Sequence, residues 1–225
     1  MGFTGFALDS RASVGRRLRQ WATKRAPMTD DRYRSVLTLV RCLAGAAPLD
    51  VRDAVLHEAF AQLHQTASSI EADRLDRLIW QRWGDAGSRT ARRALLDASK
   101  LLALGEVEPA LALLDRAIAQ DPGFAEAWNK RATILFMIGR HAQSIADIER
   151  VLVLEPRHYG ALAGLGQILL QAEEPHGALI AFEAALAINP HLDSIRRLAG
   201  KLRRASGASP RPTPLLDRPP SPSEG

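Results

Sequence analysis

Along residues 91–205 apolar positions recur at spacings of three and four, the pattern of helices that bury one face. No run alternates apolar and polar residues with a period of two, so the pattern predicts an all-α chain. Between Ala125 and Pro156 it breaks at Gly139, giving a helix over Ala125–Met137 and a second over His141–Leu154. This two-helix phrase occurs three times. Its closing prolines, Pro122, Pro156 and Pro190, stand 34 residues apart. Gly105 and Gly139 mark the turn in the first two copies, and Glu173-Glu174-Pro175 replaces it in the third, whose second helix is predicted from His176 to Ile188. Pro109 falls in the first turn of a second helix, where a missing N–H costs nothing. A fixed period of this size marks stacked helical hairpins, none of which buries its apolar face alone.

Small residues sit at the eighth and twentieth positions of each copy (Ala98/Ala110, Ala132/Ser144, Gly166/Ala178), where they let the two helices approach closely. Beyond the copies, Leu192–Ser206 carries Ile195, Leu198 and Leu202 on one stripe and Arg196, Arg197, Lys201, Arg203 and Arg204 elsewhere. That predicts a capping helix with a solvated outer face, with a basic docking helix as the alternative. Upstream, Pro48–His64 and Ser69–Trp83 predict a further hairpin with Leu75, Leu78, Ile79 and Trp83 as its packing face. Its expected place is on the first repeat, as an N-terminal cap. Four zones follow: a basic leader (1–34), a helical cap region (35–90), three repeats (91–124, 125–158, 159–190) with the capping helix to 205, and a tail (206–225). Six prolines and few apolar anchors predict that the tail is disordered.

In the second copy, Trp128, Ala132, Gly139, Ser144, Ile148, Val151 and Pro156 stand in the register that the third fills with Leu162, Leu165, Gly166, Ala178, Phe182, Ala185 and Pro190. The first supplies Ala94, Asp97, Ala98, Gly105, Ala110, Leu114, Ala117 and Pro122, with Asp97 where a large apolar residue is usual. In these positions, over about half its length, the chain resembles the tetratricopeptide repeat (TPR) family. The resemblance implies a short right-handed α-solenoid, in which the first helix of each repeat (helix A) lines a concave groove that holds a peptide or helix of another protein. Carried over by position, the groove comprises Arg92, Leu95, Ser99 and Leu102, then Glu126, Asn129, Lys130, Thr133, Phe136 and Met137, then Ala163, Gly164, Gln167, Leu170 and Gln171. Asn129 and Lys130 form the only pair with the chemistry of the family's carboxylate clamp, and the third repeat offers Ala163, Gly164 and Gln167 instead. The clamp therefore does not fit. The groove reads as apolar with a few amides and hydroxyls, suited to an amphipathic helix or an extended apolar segment.

Charge changes the picture only at the N-terminus. Of 30 basic and 25 acidic residues, the leader holds eight and three, which leaves 22 of each in the rest. A neutral repeat body argues against a nucleic-acid-binding face. The leader, with Val14, Leu18 and Trp21 on one stripe among arginines, could instead anchor the protein to an anionic membrane or nucleic acid, the repeats serving as scaffold. A cytoplasmic location is the default. Were Met28 the true start, residues 28–46 would resemble an export signal interrupted by Arg41, and an accessory role in a cell-envelope assembly would follow; otherwise Tyr33–Leu43 is a buried helix.

Catalytic and metal-binding patterns are missing from the sequence. His57 and His64 share a helix face without a third ligand, and Gly164-Leu165-Gly166 lies inside a helix rather than after a strand. No nucleophile–base arrangement or phosphate loop occurs, so neither an enzyme activity nor a cofactor or metal is expected. The lone Cys42, between Val40 and Leu43, is expected to be a small buried hydrophobe.

Overall fold

The computed structural model describes residues 30–43 and 53–205, which form ten helices. Three precede the repeats: α1 (Asp30–Leu43), α2 (Ala54–Gln65) and α3 (Ser69–Asp85). Three pairs follow, α4 (Arg89–Ala103) with α5 (Val107–Gln120), α6 (Ala125–Met137) with α7 (His141–Leu154), and α8 (Tyr159–Gln171) with α9 (Pro175–Ile188). Helix α10 (Asp193–Ala205) packs on α9 through Ile195 and Ala199, as a capping helix should. The readings placed on residues 1–29, 44–52 and 206–225 lie outside the described residues.

Every first helix of a repeat ends in the same way. Gly105 (φ 81°), Gly139 (φ 77°) and Glu173 (φ 62°) adopt the left-handed conformation. Their N–H groups donate to the carbonyls of Leu102, Phe136 and Leu170, and the following N–H groups reach Leu101, Leu135 and Leu169. Carbonyls that the helix end would orphan are thereby satisfied. The third repeat makes this turn with a glutamate, at roughly 1–2 kcal/mol for the crowded Cβ.

Inside the pairs the small residues act as expected. Ser144 is fully buried, and its hydroxyl donates to the Ala132 carbonyl at 2.7 Å. A Cβ added to Gly166 would meet Phe182 Cε1 at 2.3 Å, so this ring occupies the space that glycine leaves. Between pairs, Arg131 on α6 donates to Asp147 on α7 through Nε and Nη2 (2.8 and 2.7 Å) and to Asp115 on α5 through Nη1 (2.7 Å). Its guanidinium also lies 4.9 Å from the Trp128 ring centre. One cation thus clasps three helices. Burial pushes the Asp147 carboxyl above the usual range, although the Arg131 fork opposes it.

The N-terminal helices depart from expectation in three respects. First, the hairpin does not cap the first repeat. Leu75, Ile79 and Trp83 belong to one core with Tyr159, Leu162 and Leu165, and the separate core around Ala91, Leu95 and Leu114 contains none of the hairpin's residues. The exit of α3 is fixed beside the α5–α6 loop, where Gly87 passes under the Phe124 ring and Ser88 N–H donates to Asp121 at 2.7 Å before the chain enters α4. Second, α2 starts at Ala54 rather than Pro48, because Asp53 is extended (φ −112°) and accepts the Leu56 N–H as an N-cap. Third, Cys42 is exposed. Val36 and Val40 form the buried face of α1, which lies against α7 and α9, and a residue two positions after Val40 points the opposite way.

Candidate functional site

Helices α4, α6 and α8 lie side by side, and the 34-residue register sets equivalent residues in rows across them. Near the helix starts, one row is Arg92, Glu126 and Gly160; the next inward is Leu95, Asn129 and Ala163. Further along come Ser99, Thr133 and Gln167, then Leu102, Phe136 and Leu170, with Met137 beside them.

The two halves of this face differ. Near the helix starts it is closed: Leu95, Glu126, Asn129, Gly160, Ala163 and Gly164 are all buried. Asn129 Nδ2 donates to Glu126 Oε2 at 2.9 Å, so the amide expected to meet a partner is held by its own helix. The same oxygen lies 3.2 Å from His158 Nε2. His158 Nδ1 accepts the Ala161 N–H at 3.1 Å, which puts the ring proton on Nε2 and makes it the donor to Glu126. His158 is fully buried, and Trp83 stacks on it with ring centres 4.1 Å apart.

Towards the helix ends the face is open. Leu102, Phe136, Met137, Gln167 and Leu170 are half-buried there; nearer the helix starts Lys130 is half-buried too, as is Arg92, whose guanidinium reaches Asp85 at 3.5 Å. Ser99 and Thr133 donate their hydroxyls to the Leu95 and Asn129 carbonyls, both at 2.9 Å. Two of the expected polar contacts are thus turned onto their own helices, and this half is more apolar than its composition suggests. Beneath it a cavity of about 10 Å³ lies between Thr133, Phe136, Ile148 and Ile168, too small for more than one water. Among the described residues no group of three or more His, Cys, Asp or Glu could hold a metal. No helix there is long and apolar enough to cross a membrane.

His158, the last residue of the second repeat, is not among the residues that register assigns to the groove. The register held the signal, because the equivalent positions carry the large apolar Phe124, which is buried, and Leu192, which is half-buried. Trp80, Asp76 and Asn189, which meet at the hairpin contact, carried no such signal.

The tetratricopeptide repeat family model matches residues 95–154 and 138–193. A TPR repeat-containing protein of Rhizobium etli is 38% identical over 135 residues, covering 60% of this chain and 66% of that protein. The chain thus spans just under two thirds of that relative's length. Among solved structures, the first TPR domain of Spaghetti (RPAP3), bound to an HSP90 peptide, is similar with a TM-score of 0.51 at 17% identity, over 54% of this chain and 96% of that one. The Sgt2 TPR domain from Aspergillus fumigatus gives a TM-score of 0.50 at 20% identity, over 62% and 97%.

Proposed function

The chain is a tetratricopeptide-repeat protein, and from that premise we propose that it is a non-enzymatic adaptor holding an amphipathic helix of another protein across α4, α6 and α8. The observation that carries this reading is the row Leu102–Phe136–Leu170, half-buried at every step, with the neighbouring hydroxyls turned away. Packed helices lie about 8–10 Å apart. Residues seven apart on a helical ligand are about 10.5 Å apart, a closer match than the roughly 6.6–6.8 Å between same-side residues of a strand. A helix with apolar residues at every seventh position and at the intervening third or fourth would fill the row.

The Spaghetti domain holds the peptide SRMEEVD, whose end is acidic. Here Asn129 is engaged by Glu126, and an incoming carboxylate would face that carboxylate. An apolar helix is therefore the better ligand. The test is selection of binders from a displayed helical-peptide library, followed by titration of one binder into wild type and Phe136→Glu. A charge in the middle of the row should weaken binding by about thirtyfold or more, as loss of an interface hot spot does. Equal affinity for a folded Phe136→Glu chain would overturn the reading.

A further inference from the structure

Building on the adaptor reading, we infer that the helix held across α4, α6 and α8 carries acidic residues along one flank of its apolar stripe and basic residues along the other. The open half of the face has two borders, and their charges are opposite. Toward the helix starts stands Lys130, six residues before Phe136 and so about 9 Å away along α6. It lies one turn closer to the apolar row than the buried Glu126, and it is half-buried between the uncharged register partners Leu96 and Gly164. The acids of α4 and α6 are already engaged, Asp97 by Arg93 and Lys100, and Glu126 by Asn129 and His158; α8 has none. Among the described residues, none pairs with the Lys130 ammonium.

The other border is made by the turns that close the three helices. Register places Gly105-Glu106, Gly139-Arg140 and Glu173-Glu174 there. Arg140 is taken by Glu108 at 3.3 Å, whereas Glu106, Glu173 and Glu174 are exposed, which leaves this border acidic. Glu106 and Glu174 are the N-caps of α5 and α9, yet neither side chain bonds to its helix. Glu173 N–H donates to the Leu170 carbonyl, which keeps its carboxylate within a turn of the row's last leucine. A ligand helix is about 10–12 Å across with its side chains, so one seated on Leu102, Phe136 and Leu170 brings both flanks within reach of these charges. A uniformly charged helix would be repelled at one border. A helix with sorted charges satisfies both, and because its flanks exchange sides on reversal, the same charges fix its direction along the row.

The probes are two synthetic helical peptides of about 18 residues, identical in composition and in their leucine stripe. One has Glu along one flank and Lys along the other; in the second the same residues are shuffled between flanks. In low salt the sorted peptide should bind wild type about tenfold more tightly than the shuffled one, the sum of a few exposed ion pairs. That preference should disappear at about 1 M salt and in Lys130→Glu, and should shrink in Glu106→Gln/Glu174→Gln. Lys130→Gln, which adds no charge beside Glu126, should also reduce it and serves if Lys130→Glu fails to fold. Equal binding of the two peptides by wild type overturns the inference, as does a preference that survives both salt and Lys130→Gln, or a sorted peptide that does not bind. Phe136→Glu separates this from the adaptor reading. If it weakens both peptides while wild type binds them equally, the groove stands and the charge assignment falls; if it leaves the sorted peptide's affinity unchanged, the groove falls and the assignment with it.

Discussion

Replacing Gly166 by alanine sets two known effects against each other. In an unobstructed helix the change stabilises by about 0.5–1 kcal/mol, because glycine loses more freedom on folding. At Gly166 the new Cβ would stand 2.3 Å from Cε1 and 2.4 Å from Cδ1 of Phe182, about 1 Å inside the usual contact distance. The ring cannot turn aside, because Phe182 is itself fully buried, with Ala178 and Ala185 beside it equally inaccessible. Helices α8 and α9 must separate instead, at about 1–3 kcal/mol. The net loss is about 0.5–2 kcal/mol, a fall in Tm of roughly 2–6 °C for a domain of this size. Gly84 supplies the control: nothing lies within 4 Å of its added Cβ, so Gly84→Ala should raise Tm. Pairing Gly166→Ala with Phe182→Leu should recover stability relative to the sum of the single changes, with a coupling of about 1 kcal/mol. Thermal and urea unfolding followed by circular dichroism measure all four variants. A Tm that rises as much in Gly166→Ala as in Gly84→Ala would refute the packing argument.

Glu173→Gly should stabilise by about 0.5–1 kcal/mol in urea unfolding, since it relieves a left-handed glutamate at the cost of some chain entropy; no gain would mean that the turn is unstrained. Arg131→Ala leaves Asp147, only 5% exposed, without its fork. Because Arg131 is itself partly exposed, the loss should be roughly 2–3 kcal/mol, just below the range for breaking a fully buried pair, and a loss near zero would show that the clasp is decorative. Burial raises the Asp76 carboxyl above its usual 3.8, with the Tyr159 hydroxyl opposing. The native state then holds that proton more tightly, so the contribution of Asp76 is fully present below its unfolded pKa and is lost as pH rises through the raised value. Asp76→Asn cannot ionise, and its stability relative to wild type should improve as pH climbs from about 4 to 7; a flat or falling difference contradicts the assignment.

Local features were legible because local forces set them. The bounds of α6 and α7 follow from periodicity and from Gly139, and the closing prolines mark the ends of α5, α7 and α9 to within two residues. Glu173 was recognisable as a substitute for the turn glycine, though not that it would keep the glycine conformation. The docking of the hairpin was not legible. Amphipathicity names the buried face of α3 but not its counterpart, and the contacts that decide the matter join residues 72, 83 and 113 positions apart. The groove residues came from register with a family, which carries position but not hydrogen bonding. That Ser99 and Thr133 bond to their own helices, and that Glu126 holds Asn129, depends on rotamers chosen in the packed state. The Glu126–Asn129 spacing of three residues did signal a pair on one helix face.

The most direct test of the adaptor account is a hydrogen-exchange footprint of a library-selected helical peptide on the full chain. The account predicts added protection in the later turns of α4, α6 and α8, around Leu102, Phe136 and Leu170, with the surfaces of α5, α7 and α9 unchanged. Protection confined to α5, α7, α9 or α10, with the first helices of the repeats unaffected, would contradict it.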